Sequence, residues 1–259
     1  LSPNANLFSS ELDLFPDGMS LNNFKRILGF ASLEEAQAMG GSGASLNFLL
    51  YLWNSLKFTG AIVAGTVTFA VFGGYALARL NFRGRNAMFF ILMSGLLVPG
   101  MFATIPNFIL IIKLHLLNTF IGSIAPFVFG TPFAVFFMRQ FFISFPKEIE
   151  EAAELDGLGV FARLRKIVIP MSMPPIFTLA LITGVGAWNE YLWPYLVSND
   201  ENKRVLTVGL RVFLSQSPST APDWAGLMAA TTMTIIPVIV ILAIFGKKMI
   251  GSIQLAGFK

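Results

Sequence analysis

A chain of 259 residues that is 55% hydrophobic and only 12% charged carries about half the charged share of a soluble domain. Such a chain cannot cover a water-facing surface with polar groups, and its apolar residues fall in long blocks, which excludes a soluble globular fold and indicates a membrane protein. The lack of cysteine rules out disulfides, thiolate nucleophiles and cysteine metal sites, and a net charge of +4 without a basic, aromatic-interleaved run argues against nucleic acid as a partner.

Residues 1–46 read as a water-exposed, extracytoplasmic segment, frequent in Asn, Ser, Asp and Pro, with a flexible joint at Gly40-Gly41-Ser42-Gly43. Leu1 to Asp17 lack the charged start and apolar middle of a signal peptide. Ser32-Leu33-Glu34-Glu35 has the spacing of a capping box for a short helix ending near Met39. From residue 47 to 259 the pattern is that of an all-α, polytopic bundle with spans at about 53–78, 87–112, 120–142, 170–197 and 224–245. Each is longer than the roughly 20 residues that cross about 30 Å of hydrocarbon. Span two is interrupted at Pro99-Gly100 and again at Pro106, which predicts a kinked or broken helix, and span three contains Pro126 and Pro132. Gly73-Gly74 and the run from Gly60 to Gly65 in span one suit close helix packing.

Lys and Arg counts orient the spans. Connections 79–86 and 139–169 and the tail 247–259 hold eleven of these cations, while the opposite side holds seven spread over a longer stretch. The first set, and with it the C-terminus, is therefore expected in the cytoplasm. Five spans then place the polar N-terminal segment outside. Export of such a segment needs a hydrophobic helix before it, so a sixth span preceding Leu1 is expected.

The longest cytoplasmic connection, 144–169, reads as helix–turn–helix. Ser144 and Pro146 suit a helix start, and Glu148, Glu150 and Glu151 suit the positive end of a helix. Asp156-Gly157 supplies the stop, since glycine accepts the left-handed conformation cheaply. A second short helix is expected to end in Arg163, Arg165 and Lys166. Ile149, Ala152 and Ala153 share one face, flat enough for close approach by another surface.

Glu151-Ala152-Ala153, then Gly157, Ile167, Ile169 and Pro170 at fixed spacing over 20 residues, resembles the EAA loop of permease subunits of binding-protein-dependent ABC importers. Ala78-Arg79-Leu80, Phe82, Gly84-Arg85, Trp188-Asn189-Glu190-Tyr191, Trp193-Pro194 and Leu206-Thr207-Val208-Gly209-Leu210 are similar to the second permease of carbohydrate importers, the maltose-transporter type. The end of the chain is loosely similar to that family's C-terminal tail, which reaches into the ATPase dimer.

The resemblance implies a subunit of the bacterial or archaeal cytoplasmic membrane that pairs with a second permease as a heterodimer. It further implies two copies of a cytoplasmic ATPase, a solute-binding protein outside, and a carbohydrate cargo, whether a sugar or an oligosaccharide or polysaccharide fragment. ATPase docking would fall to Glu151, Ala152, Ala153, Asp156, Gly157 and Leu158. The chain has no phosphate-binding Gly-x-x-x-x-Gly-Lys-Ser/Thr loop. No cofactor is expected on it, ATP and magnesium belonging to the partner ATPases. Transport would proceed by alternating access.

In the outer half of span four, Trp188, Asn189, Glu190 and Tyr191 are candidates for the solute pathway. An ionisable residue within a span is a functional candidate; Glu190 is alternatively a carboxylate at the outer membrane edge. Trp188, Tyr191 and Trp193 form either an interfacial aromatic belt or sugar-stacking surfaces. The lone His115 reads as a loop residue. A membrane-embedded enzyme would need an acid–base or nucleophile pair at membrane depth, and Glu190 has no such partner nearby in sequence. A passive channel would need a filter or a ring of like charges, which the sequence does not show.

Overall fold

The computed structural model describes residues 21–31, 34–35, 46–129, 131–216 and 223–256, with side chains as far as Ile244 and without that of Gln216. Every regular element among these residues is helical. Ser32, Leu33, the joint at 40–43 and the chain end at 257–259 lie outside the described residues.

The short α1 (Asn22–Ile27) precedes α2 (Phe48–Arg79), a 32-residue helix. An apolar stretch of this length in hydrocarbon must satisfy its backbone internally, and the helix does so. Next come α3 (Arg85–Ser94) and α4 (Gly100–Lys113), then α5 (Phe120–Val128) and α6 (Pro132–Ser144). The chain continues as α7 (Lys147–Leu155), α8 (Val160–Met171) and α9 (Met173–Trp188). It closes with α10 (Leu192–Val197), α11 (Leu206–Gln216) and α12 (Trp224–Ala256). Two helices, Phe48–Arg79 and Trp224–Ile244, are each long and apolar enough to cross a membrane; counting each bent pair as one span raises the number to five.

Proline decides where the spans bend. Val98 and Pro99 adopt extended backbone, and α3 with its following 3-10 turn meets α4 at 101°. Pro106, expected to interrupt the span again, lies inside α4 without ending it. Pro174 and Pro175 stand in the first turn of α9, where missing N–H groups cost nothing, so a new helix starts there at 77° to α8.

The structure departs from two expectations. Span four is not one helix over 170–197: α9 ends at Trp188, and α10 begins at Leu192. The reason is Pro194, whose ring cannot donate to the carbonyl of Glu190; that carbonyl instead accepts from the Thr207 hydroxyl at 2.8 Å. The second helix after Gly157 also does not end at Lys166. It runs on through a π-helical turn, Leu164–Val168, to Met171, the widened turn accommodating Pro170.

Helix α2 is central, packing on α5, α6, α9 and α11. A Cβ on Gly74 would lie 2.8 Å from Met138 Cβ and 2.9 Å from the Arg139 nitrogen, so α2 and α6 meet as closely as they do because no side chain intervenes. One core, including Val71, Tyr75, Met138, Phe142, Val168 and Leu179, lies toward the end of α2 that carries α7. The other, including Ile27, Phe48, Tyr51, Leu206, Phe213 and Ala230, lies toward its start.

Residues 22–27 depart from the water-exposed character expected of 1–46. Helix α1 packs on α12, with Asn23 and Ile27 buried. Arg26 grips Asp223 with two bonds of 2.6 and 2.8 Å, and Asp223 caps α12 by accepting from the Gly226 N–H at 2.9 Å.

Candidate functional site

The helix–turn–helix expected at 144–169 is present, and its second arm, α8, forms a bent pair with α9. Phe145 leaves α6 in extended backbone, Pro146 follows, and α7 begins at Lys147. Its end is built as the Asp-Gly pair requires. Gly157 has φ +81°, its N–H donates to the Glu154 carbonyl at 2.9 Å, and the Leu158 N–H donates to the Ala153 carbonyl at 3.0 Å. The angle between the two arms is pinned by an Arg163–Glu154 ion pair across the turn, while Arg163 also donates to the Glu150 carbonyl at 3.5 Å.

Part of the face expected to be offered to a partner turns inward instead. Ala153 is only 4% exposed and Ile149 packs on the core between α2 and α6, so this side of α7 belongs to the chain's own interior. Glu150, expected to suit the positive end of the helix, is buried and paired with Arg79 at 3.0 Å. Ala152 is exposed, as are Glu151, Asp156 and Gly157, and Leu158 is half-buried. Beside them stand apolar side chains that the sequence reading did not single out. Leu155 is 90% exposed and Phe161 64%, with Phe161 lying flat against Phe72 at 6.3 Å. The signal for Leu155 was available: it falls four residues after Glu151, on the face opposite Ile149 and Ala153.

At the other end of α9 the four candidate pathway residues separate. Trp188 lines a cavity of about 330 Å³ between α2, α9 and α12, together with Thr59, Gly60, Val63, Gly184 and Pro237. Its indole N–H donates to the Thr234 carbonyl at 3.2 Å. Asn189 is exposed and donates back to the Val185 carbonyl at 2.8 Å. Glu190 holds α10, its carboxylate accepting from the Trp193 N–H at 3.1 Å. Tyr191 stacks on Tyr195 with ring centres 5.4 Å apart. Trp193 is buried, its indole bonded to the Gly122 carbonyl at 3.1 Å, and forms neither a belt nor a stacking surface.

The same end carries a polar clasp that sequence reading missed. The Asn118 side chain accepts from the Asn199 N–H at 2.7 Å, and its carbonyl accepts from Lys203 at 2.7 Å. Asn54 donates to the carbonyls of Asn202 and Arg204 at 2.8 and 3.0 Å. The Asn202 N–H, and after it Lys203, hold the Asp200 carboxyl below the usual carboxylate range. His115 is an exposed turn residue with φ 55°. Among the described residues no cluster of His, Asp or Glu could hold a metal ion.

Comparison with known proteins agrees with this architecture. The arabinooligosaccharides transport system permease protein AraQ of Halalkalibacterium halodurans is 33% identical over 213 residues, 82% of this chain and 75% of that protein. The sn-glycerol-3-phosphate transport system permease protein UgpE of Yersinia pestis is 33% identical over 80% of this chain and 73% of its own length. A solved structure of a bacterial ABC transporter involved in import of the acidic polysaccharide alginate superposes with a TM-score of 0.79. That match is 25% identical and covers 95% of this chain and 85% of the solved one. The family of binding-protein-dependent transport system inner membrane components matches residues 67–249, and the chain, a helical membrane protein, belongs to it.

Proposed function

We propose that the chain is one of two permease subunits of an ATP-driven carbohydrate importer, the other being a different permease. The observation that carries this is the α7–α8 segment. It holds a left-handed glycine turn braced by an ion pair, just ahead of the bent pair that α8 forms with α9. It also exposes Leu155 and Phe161, side chains that water does not favour, beside Glu151 and Ala152. Two cytoplasmic ATPases bearing ATP and magnesium seat these segments, Glu151 meeting a cation and the apolar pair filling a cleft. This chain itself binds no cofactor. A solute-binding protein docks on the opposite end, near the 198–205 clasp, and the C-terminus lies in the cytoplasm. ATP closure draws the two docking segments together and the bundles rock outward; hydrolysis resets them.

The carbohydrate class is supported by relatives named for arabinooligosaccharides, diacetylchitobiose and sn-glycerol 3-phosphate. Trp188 at the cavity wall and the exposed Asn189 that follows it are the pathway residues this chain offers. Proteoliposomes holding the whole transporter and its binding protein should take up a carbohydrate when offered neutral oligosaccharides, acidic oligosaccharides, sugar phosphates, amino acids and inorganic anions in turn. Uptake confined to the last two classes would overturn the carbohydrate reading.

A further inference from the structure

The exposed side of α7 serves docking; its inner side carries a polar network that docking does not use. Glu150 sits against the end of α2, where its carboxylate lies 3.0 Å from Arg79 Nε and accepts from the Tyr75 hydroxyl at 2.8 Å. The Arg79 and Glu150 side chains are 9% and 11% exposed. Arg79 also donates to the carbonyl of Phe145, the residue that joins α6 to α7. Nearby, Arg139 of α6 donates to the Leu77 carbonyl at 3.3 Å and stands 3.9 Å over the Phe89 ring. The last turn of α2 is thus tied at separate points to α6, to the α6–α7 joint and to α7.

Adhesion alone does not call for this chemistry. Phe142, Phe145 and Val168 are all buried around it, and two apolar side chains would hold α7 there at least as well as a desolvated ion pair. What the Tyr75 and Phe145 hydrogen bonds add to the charge contact is direction, because each hydrogen bond weakens when the helix turns or slides. Helix α2 packs on α5, α6, α9 and α11, so displacement of its end is felt by most of the bundle.

We infer that Arg79, Tyr75 and Glu150 are positioning residues that lock the docking helix to the end of α2, so that an ATPase moving α7 moves the central span with it. The inference rests on the docking role given to α7 and α8 above. Without the lock, the extended residues Phe145 and Pro146 would let α7 shift while α2 stayed in place.

The test uses the complete transporter, and the chain's lack of native cysteine helps it. The pair R79M/E150L removes both charges together and leaves neither one orphaned, so the segment should fold and keep its ATPase. Uptake per ATP hydrolysed should nevertheless fall roughly tenfold or more. R79C/E150C should behave likewise until a short bifunctional thiol reagent joins the two positions, whereupon uptake per ATP recovers. Native uptake per ATP in R79M/E150L would overturn the inference. So would failure of the cross-linked pair to recover, or loss of the ATPase from R79M/E150L, which would make the network a folding device. If the unmodified transporter itself shows no solute-stimulated hydrolysis, the docking reading fails first.

Discussion

Gly157 offers a test in which strain and crowding can be separated. Its φ of +81° lies where side-chain-bearing residues are disfavoured, yet a Cβ added there meets nothing within 4 Å. Any cost of substitution is therefore backbone strain. A left-handed L-residue costs about 1–2 kcal/mol, and a β-branched one lies toward the upper part of the ~1–3 kcal/mol range. Asn tolerates this region best after glycine. Since each ~1.4 kcal/mol is tenfold, Gly157→Val at about 2–3 kcal/mol should lower the share of correctly bent segments roughly 30- to 150-fold. Gly157→Ala should cost about tenfold and Gly157→Asn least. The assay is the amount of ATPase retained on the purified permease pair, followed by hydrolysis stimulated by the loaded binding protein. Both should fall in the order Asn, Ala, Val, while expression and pairing stay unchanged because the site lies outside the spans. Equal retention by all three variants would refute the claim that the left-handed turn sets the docking shape.

Other expectations follow from the same geometry. Leu155→Ala and Phe161→Ala should weaken ATPase retention with little change in thermal stability, since both side chains are already largely exposed; a large stability loss would place them in the fold instead. Glu151→Lys should set like charges against each other at the docking interface, costing several kcal/mol of association and lowering retention and stimulated hydrolysis together. Arg26→Met removes the cation that pairs with the buried Asp223 carboxylate at the start of α12 and should cost about 3–5 kcal/mol, read as a lowered melting temperature, whereas R26M/D223N should recover most of it. Cysteine at Arg83 should react with an impermeant reagent only from the cytoplasmic side of sealed cells and cysteine at Asn199 only from outside; the reverse pattern would invert the topology.

The spans were legible because bilayer physics writes them in long apolar runs, and the bend at Pro99 followed from proline chemistry. Pro106 shows the limit: a proline inside a helix breaks it only when the surroundings do not hold the helix together, and sequence does not report surroundings. Pro194 is the converse case, because the break it forces was readable, but the Thr207 hydroxyl that stabilises the freed Glu190 carbonyl comes from 17 residues away. The turn at Gly157 was readable because only local conformation was at stake. The facing of α7 was not. Ala152 and Ala153 are alike in composition, and only the position of α2 decides that Ala153 turns inward while Ala152 stays exposed. Glu150 has the same history: among four glutamates on one helix, its partner Arg79 lies 71 positions earlier, beyond any local pattern.

Whether α7 and α8 form the seat of an ATPase is measured most directly by ATP hydrolysis in the reconstituted transporter. With the unmodified chain, hydrolysis should rise severalfold when solute-loaded binding protein is added. With Gly157→Val or Glu151→Lys it should stay at the unstimulated rate, although both permeases remain in the membrane. Full stimulation in both variants would contradict the account, because the segment would then have no part in passing the solute signal to the ATPase.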